Sequence, residues 1–265
     1  MLRPAFPCAA FAACLALSSP GFASSPGPAK PARPVAAFKV DGTLALAAYQ
    51  AMVEEHLAGV LRSIKALAVT SDARSGDWAR IRPALERLSA DLPTAATISY
   101  VQPDGSYATT AIGQSPDNLS DRAYFPGLMA GKDVVGSLVV SKATGHRSIV
   151  VATPVMRDGK VVAAIGVTLR ARLISQLVTD HGLLPADLTF YALDSTGKTA
   201  IHKDPDLMFA FPSDMGDSSL KAAVKTILGQ REGVVHYRFR NDDRTAIFRT
   251  SDATGWRFVL VRVGR

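Results

Sequence analysis

The chain has 265 residues and a formal net charge of +7, from 30 Lys and Arg against 23 Asp and Glu. The charge is spread along the chain without a run of five like charges or an arginine-rich arm. This pattern disfavours nucleic acid as a partner and is compatible with an anionic small ligand. Both cysteines, Cys8 and Cys14, lie near the start, so the rest of the chain must be held by its core without disulfides.

Residues 1–23 have the layout of a cleaved secretory signal peptide. Arg3 precedes a short apolar run, and a site of small residues ends at Ala23. We expect cleavage there and export of a soluble protein to the periplasm, since no later apolar run approaches the ~20 residues that cross a bilayer. Lipidation at Cys14 is an alternative, although Phe11 stands where an aliphatic residue is wanted.

The next part of the chain predicts a leader and two helices. Residues 24–42 are rich in Pro, Ala and Gly, which is typical of a disordered or extended segment. From residue 43 to 70, apolar residues recur every three or four positions and predict a long amphipathic helix. A second helix is predicted from Asp77, which can cap it, to Pro93, which stops it.

After Pro93 the pattern changes to that of β-strands. The run "TAATISYVQPDGSYATTAI" predicts a hairpin, and "RAYFPGLMAG" predicts a short helix ended by Gly131. Three strands are predicted over residues 133–142, 146–156 and 161–169, followed by a helix. The last two strands are almost continuously apolar, so we expect them to lie centrally in an antiparallel sheet.

A second, smaller unit is predicted from Asp187 to the end. It contains a hairpin, the helix "SLKAAVKTILG" and two or three further strands, in an order similar to that of the first unit. The fold class is therefore predicted to be α+β. We place the two modules at residues 43–182, including the long helix, and 183–265.

The blocks "DRAYF", "VVSKATG", "IVVATPV" and "DGKVVAAIGVTL" occur in this order between residues 119 and 174. With them the chain resembles the membrane-distal module of a double Cache (PDC-like) sensor domain. The later blocks "LDSTG", "HKDP" and "TGW" resemble the smaller membrane-proximal module. The resemblance implies a stalk helix followed by two PAS-like modules, each a mainly antiparallel sheet flanked by helices.

The resemblance also implies a function. The family is extracytoplasmic and non-catalytic, and it forms the sensing part of chemoreceptors, histidine kinases and diguanylate cyclases, with a small molecule bound in the distal module. This chain shows neither a flanking transmembrane helix nor an output domain. We therefore expect it to signal through a partner, which would be a membrane histidine kinase, a chemoreceptor or a transporter.

The ligand is expected to be a small anion. The amino-acid-binding subfamily carries Arg-x-Trp-Tyr at the helix and an aspartate near the end of the last distal strand. Here Arg122 is followed by Tyr124 and Phe125, and Thr168 stands at the aspartate position. Because the carboxylate that would pair with an α-ammonium group is missing, the resemblance implies a carboxylate or another anion without an amine.

Arg122 is the main candidate for ligand binding, because a guanidinium binds a carboxylate through two parallel hydrogen bonds and keeps its charge. The aromatic pair after it would form apolar walls. In the alternative, Ser120 or Asp121 caps the helix and Arg122 pairs with Asp121 on the surface. Further candidates, each of which could equally be an ordinary polar or β-forming residue, are Tyr107, Ser141, Thr144, Arg147 and Thr168.

Two other functions stay open at this point. One is a ligand-free interaction module whose long helix pairs with itself in a homodimer or with a receptor stalk. The other is an enzyme, which the missing nucleophile–base pairs disfavour. The five histidines lack metal-ligand spacing, so no metal or cofactor is expected. His202 could line a second, smaller pocket or satisfy a loop hydrogen bond.

Overall fold

The first element is the long helix α1 (Gly42–Ala68). Its start is fixed by Asp41, whose carboxylate accepts the backbone N–H groups of Thr43 and Leu44 at 2.7 and 3.1 Å. The computed structural model describes residues 41–142, 144–182 and 184–264, which form one compact unit. The predicted signal peptide, Cys14 and nearly all of the predicted leader lie outside the described residues. In the described part of the chain, no helix is both long and apolar enough to cross a membrane.

The remaining elements follow the predicted order. The other helices are α2 (Ser71–Arg74), α3 (Trp78–Asp91), α4 (Phe125–Met129), α5 (Ala171–Gly182) and α6 (Ser218–Gly229), with 3₁₀ turns at Pro205–Leu207 and Pro212–Asp214. The strands are β1 (Ala95–Val101), β2 (Ser106–Thr109), β3 (Gly113–Asn118), β4 (Val134–Val140), β5 (Arg147–Arg157), β6 (Lys160–Arg170), β7 (Leu188–Leu193), β8 (Thr199–His202), β9 (Glu232–Phe239), β10 (Asp242–Thr250) and β11 (Arg257–Val263).

The strands form two antiparallel sheets, which confirms the α+β class. The first sheet has the order β3-β2-β1-β6-β5-β4, and the second has the order β8-β7-β11-β10-β9. The two apolar strands, β5 and β6, are both internal, as predicted. The edge strand β3 was not predicted, because its sequence "GQSPDN" lacks β-forming residues; an edge position tolerates its proline.

The start of α4 does not fit the alternative in which a residue of the preceding loop caps the helix. Its N-cap residue is Tyr124, and no side chain accepts a hydrogen bond from the first turn. The interpretation of Ser120 or Asp121 as the cap is therefore wrong. Gly131, with a φ of +87°, follows the helix as predicted, because a left-handed residue after the last turn favours glycine.

The main core lies between α1 and both sheets. One stripe of α1, including Leu46, Val53, Leu57 and Ile64, is buried in the core. The helix contacts β4, β5 and β6 of the first sheet and β10 and β11 of the second. The apolar stripe that would have paired α1 with a second copy is thus covered by this chain itself.

Two side chains connect the sheets directly. Trp256, at the start of β11, is 1% exposed and donates from Nε1 to the carbonyl of Gly136 on β4 at 3.1 Å. Arg147, at the start of β5, donates from Nη1 to the carbonyl of Met208 at 2.8 Å. Met208 follows the first 3₁₀ turn of the second half, so the turn before β5 is attached to the cover of the second sheet.

Candidate functional site

A cavity lies on the face of the first sheet that points away from α1. Side chains of a strand alternate between its faces. On β1, Ile98 and Tyr100 join the core beneath α1, whereas Thr97 and Ser99 line the cavity on the other face. The loop before α4 and the turn between β4 and β5 cover it. The lining residues are Thr97, Ser99, Tyr107, Thr109, Leu119, Arg122, Tyr124, Val139, Ser141, Lys142, Val150 and Thr168. We call this the first-sheet cavity.

Arg122 reaches the cavity from the loop between β3 and α4. Its Nη2 donates to the carbonyl of Val140 at 2.8 Å, so the guanidinium is held at the end of β4. It does not form an ion pair with Asp121, whose carboxylate is 2.8 Å from the Lys142 ammonium. The remaining donors of the guanidinium make no hydrogen bond among the described residues, which leaves them available to a ligand.

Lys142 is a second cation in the lining, and the sequence reasoning missed it. Its side chain is 25% exposed, and its ammonium also donates to the carbonyl of Asn118 at 2.6 Å. The hydrogen bond from Lys142 holds the pKa of Asp121 below its usual range. The block "VVSK" contained the residue, but only the fold brings it beside Arg122.

Two hydroxyl groups of the lining are buried without a partner. Thr97 is 4% exposed and Tyr107 is 3% exposed, and neither hydroxyl oxygen has a hydrogen bond among the described residues. A buried polar group without a partner costs about 1–3 kcal/mol, so such groups in a cavity are typical of places where a ligand or water supplies the partner. Burial also raises the pKa of Tyr124 to about 12, so that its hydroxyl keeps its proton and can donate.

The strand register brings these groups together. Thr97 lies opposite Thr168 on β6, and Ser99 lies opposite Thr109 on β2. Ser99 packs closely on Gly166, where a Cβ atom would lie 2.8 Å from its hydroxyl oxygen. The glycine therefore leaves room for this hydroxyl beneath the cavity.

The structure brings five of the predicted residues to the cavity: Tyr107, Arg122, Tyr124, Ser141 and Thr168. The other three, Phe125, Thr144 and Arg147, are not in its lining. Phe125 packs into an apolar cluster, because the first turn of α4 directs it to the sheet. Arg147 binds the Met208 carbonyl instead, since the start of β5 faces the second half of the chain.

The cavity is narrow and cationic. Its volume of about 30 Å³ has room for a few water molecules, so a larger ligand requires the covering loop or turn to move outward. Its lining contains an arginine, a lysine, several hydroxyl groups and three aliphatic side chains, but no carboxylate. This balance suits an anion with hydrogen-bond acceptors.

Two antiparallel sheets on one long helix, with a cavity on an outer face, are the architecture of a two-module sensor domain. Residues 39–263 match the Cache domain family, and the chain belongs to that family. Cache domains are extracellular sensory domains that bind ligands. No curated protein matches the chain significantly.

Solved structures share the fold at low sequence identity. The ligand-binding domain of the amino acid chemoreceptor PctB of Pseudomonas aeruginosa PAO1, in complex with L-Arg, has a TM-score of 0.69 and 16% identity, over 83% of this chain and 93% of that one. The extracellular domain of a protein described as a histidine kinase has a TM-score of 0.66 and 16% identity, over 84% and 94%. An extracellular ligand-binding receptor from Desulfohalobium retbaense has a TM-score of 0.67 and 15% identity, over 83% of this chain. The match spans only 40% of that receptor.

Proposed function

We propose that the protein is a periplasmic sensor that binds a small organic anion, such as a carboxylate, in the first-sheet cavity. Membership of the Cache family supports a sensory role, and the export signal predicted over residues 1–23 supports the periplasm. The observation that carries the anionic ligand is Arg122, whose guanidinium keeps unused donors in a lining without a carboxylate; the second cation, Lys142, is paired with Asp121 outside the lining. Arg122 would bind the ligand carboxylate, and Lys142 would add a second positive charge.

The hydroxyl groups would give the site its selectivity. Thr97 and Tyr107 have no partner within the described chain, so each can donate to or accept from a ligand at little further cost. Thr168 offers a hydroxyl where an α-ammonium group would need a carboxylate. Relatives of this fold include an amino acid receptor, but this lining favours an anion that lacks an amine.

Signalling would pass through another protein. A membrane histidine kinase, a chemoreceptor or a transporter would recognise the ligand-bound arrangement, provided that the ligand binds two arrangements with different affinity. The segments that would have to move are the loop before α4 and the turn between β4 and β5. The bond from Arg147 to Met208 connects that turn to the second half of the chain.

The experiment is a thermal-shift screen of the purified protein against small carboxylates, amino acids, amines and purines. A carboxylate that raises the melting temperature with increasing concentration binds the native state. For that carboxylate we expect Arg122→Ala to weaken binding from several-fold to about a hundredfold, since a charge-assisted hydrogen bond contributes ~1.5–3 kcal/mol. Calorimetric titration gives the dissociation constants.

Arg157→Ala is the matched control. Arg157 also donates from its guanidinium to a backbone carbonyl, that of Arg74 at 2.9 Å, but lies away from the cavity. The control should keep the affinity of the unchanged protein. Equal affinity in the Arg122 and Arg157 variants would refute the assignment of the site, and a preference for amines over carboxylates would refute the ligand class.

A further inference from the structure

A second cavity lies on the second sheet, again on the face that points away from α1. It is enclosed by strands β7 to β10, by α6 and by the two 3₁₀ turns, and its volume is about 30 Å³. Its lining residues are Tyr191, Thr199, His202, Leu207, Pro212, Met215, Leu220, Tyr237, Phe239 and Arg244. We call it the second-sheet cavity. Nothing in the proposed function uses it.

A largely buried arginine enters this cavity from near the start of β10. The side chain of Arg244, on β10, is 14% exposed, and its guanidinium carbon lies 5.0 Å from the centre of the Phe239 ring. Its Nη2 is 3.5 Å from the half-exposed carboxylate of Asp242, which is longer than an ordinary charge-assisted hydrogen bond. Its Nε is buried and has no partner among the described residues. The stacking thus fixes the guanidinium; the Tyr237 hydroxyl lies beside it, and the buried Nε remains without a partner among the described residues.

Tyr191 adds a second unused donor. It is 5% exposed, lines the cavity, and its hydroxyl has no hydrogen bond within the described chain. Burial raises the pKa of Tyr191, so the hydroxyl keeps its proton. The Tyr237 hydroxyl lies beside both the Tyr191 hydroxyl and the Arg244 guanidinium and contributes to the raised pKa of Tyr191, although the Tyr191 hydroxyl has no hydrogen-bond partner among the described residues.

His202 supplies a third donor. Its ring is stacked on Tyr191 with centroids 5.8 Å apart, and its Nδ1 accepts the backbone N–H of Asp204 at 2.7 Å. Burial lowers the pKa of His202 to about 4, so the ring is neutral near pH 7. A neutral imidazole whose Nδ1 accepts a hydrogen bond carries its proton on Nε2. The Nε2–H group is therefore a donor without a hydrogen-bond partner in the described part of the chain.

These groups have one chemistry in common. Arg244, Tyr191 and His202 all present donors, and the lining holds no carboxylate that would use them. Apart from the hydroxyl groups of Thr199 and Tyr237, the rest of the lining is apolar. Buried donors without a partner are uncommon in folded proteins, and in a cavity lining a ligand or water can supply the partner.

We propose that the second-sheet cavity is a second ligand site, which takes a short-chain monocarboxylate. The carboxylate would lie against the Nε edge of Arg244, with the Tyr191 hydroxyl and the His202 Nε2–H as further donors. The apolar body of the ligand would contact Leu207, Met215 and Leu220. The small volume excludes large ligands unless the 3₁₀ turns move.

The test is calorimetric titration of the full chain with propanoate and lactate, with propanamide and lactamide as uncharged controls. The titrations use the Arg122→Ala variant, in which binding to the first-sheet cavity is weakened, and the change on Arg244→Gln then reports the second-sheet cavity. In this background we expect Arg244→Gln to weaken carboxylate binding by about tenfold to a hundredfold. Arg249→Gln, on the same strand β10, should leave the affinity unchanged. Absence of carboxylate binding in Arg122→Ala at millimolar probe, or binding that Arg244→Gln does not change, would overturn the proposal.

If Arg244→Gln does not fold, Tyr191→Phe tests the same cavity. This change removes only the hydroxyl, so the cavity keeps its packing, and we expect the affinity for propanoate to fall by about three- to tenfold. A second readout is the Nε2–H nuclear magnetic resonance signal of His202, which a bound carboxylate should shift. Unchanged affinity in Tyr191→Phe together with an unshifted His202 signal would refute the site.

Discussion

The arginine of the first-sheet cavity and the arginine of the second-sheet cavity are held in different ways. Arg122 comes from a loop and donates to the backbone carbonyl of Val140, whereas Arg244 lies near the start of strand β10 and stacks on the Phe239 ring. Arg122 therefore moves with the loop that covers its cavity, whereas Arg244 moves with the sheet. A ligand at Arg122 can act on a loop, while a ligand at Arg244 meets a group that is fixed beforehand.

The two cavities also differ in the residues that line them. Around Arg122 stand hydroxyl groups and a lysine, which suit a ligand with several acceptors. Around Arg244 stand aromatic and aliphatic side chains, which suit one charged group on an apolar body. One architecture thus carries two cavities with different linings, and the face that packs on α1 stays apolar in both sheets.

The two cavities are also connected. Arg147 follows the turn that covers the first-sheet cavity, and its bond to Met208 reaches the residue after Leu207, which lines the second. Trp256 adds a buried bond between β11 and β4. Movement of the segment that covers either cavity would therefore act on these same contacts, at the junction between the two halves of the chain.

The largest expected effect comes from breaking this junction. Trp256→Ala removes a fully buried ring and its bond to Gly136, where a Cβ atom would lie 3.2 Å from the ring. We expect the free energy of unfolding to fall by about 3–5 kcal/mol in urea denaturation. The single transition expected for the unchanged chain should also broaden or split, since the two sheets lose a common support.

The chain contains a second tryptophan as a control. Trp78, at the start of α3, is only partly buried and packs at the edge of the main core. Trp78→Ala should lower the free energy of unfolding clearly less than Trp256→Ala and should leave a single unfolding transition. An equal loss in both variants would mean that Trp256 acts as ordinary core packing and not as a junction between the sheets.

A smaller expected effect is a pH dependence of the free energy of unfolding, which involves a histidine of the second-sheet cavity. The pKa of His202 is lowered from its usual 6.5 to about 4 by burial, and the lining of the first-sheet cavity contains no histidine. Between these two values the unfolded chain binds more protons than the folded one, so the free energy of unfolding falls as the pH drops from 6.5 toward 4. The contribution of His202 is fully present above pH 6.5, and on the order of 2 kcal/mol of it is lost by pH 5.

His202→Asn isolates this contribution, because the asparagine oxygen can replace Nδ1 as the acceptor for Asp204. Denaturation at pH 7 and pH 5 should show a smaller acid-induced loss in the variant. His56, whose pKa burial also lowers, remains in both proteins and gives a common background. An unchanged difference between the two pH values would show that His202 is not neutralised by folding.

Much of the fold could be predicted from the sequence, because its elements have clear periodic patterns. The three-and-four spacing of α1 and the apolar runs of β5 and β6 fixed both the type and the position of these elements. Strand β3 could not be predicted, since "GQSPDN" becomes a strand only by pairing with β2. The interpretation of Ser120 or Asp121 as the cap of α4 was wrong although both are good capping residues, because the helix begins later and Asp121 pairs with Lys142.

The cavity lining was harder to predict than the fold. Arg122 and Tyr124 stood out by residue type, but Thr97 and Lys142 belong to the site only because of strand register and the turn after β4. Arg147 has the chemistry of a ligand-binding residue, yet the tertiary structure directs it to Met208. Residue type identifies candidate groups, and the pairing of distant strands decides which of them meet.

The smallest expected effect compares one hydroxyl in each cavity. Tyr107 and Tyr191 are both buried tyrosines whose hydroxyl oxygens have no partner in the described chain. Tyr107→Phe and Tyr191→Phe should each leave the ligand-free protein unchanged or stabilise it by up to about 1 kcal/mol, because an unsatisfied polar group is removed. Each should weaken binding only in its own cavity, which calorimetric titration can resolve.

Tyr100→Phe provides the contrast for both changes. The Tyr100 hydroxyl is buried but donates to the carbonyl of Ala73, so removing it leaves a buried acceptor without its partner. This variant should lose about 1 kcal/mol of stability and keep both affinities. If Tyr107→Phe or Tyr191→Phe lost stability like Tyr100→Phe and kept ligand affinity, the hydroxyl concerned would stabilise the fold and not bind a ligand. The two cavities would then not use their buried tyrosines in the same way.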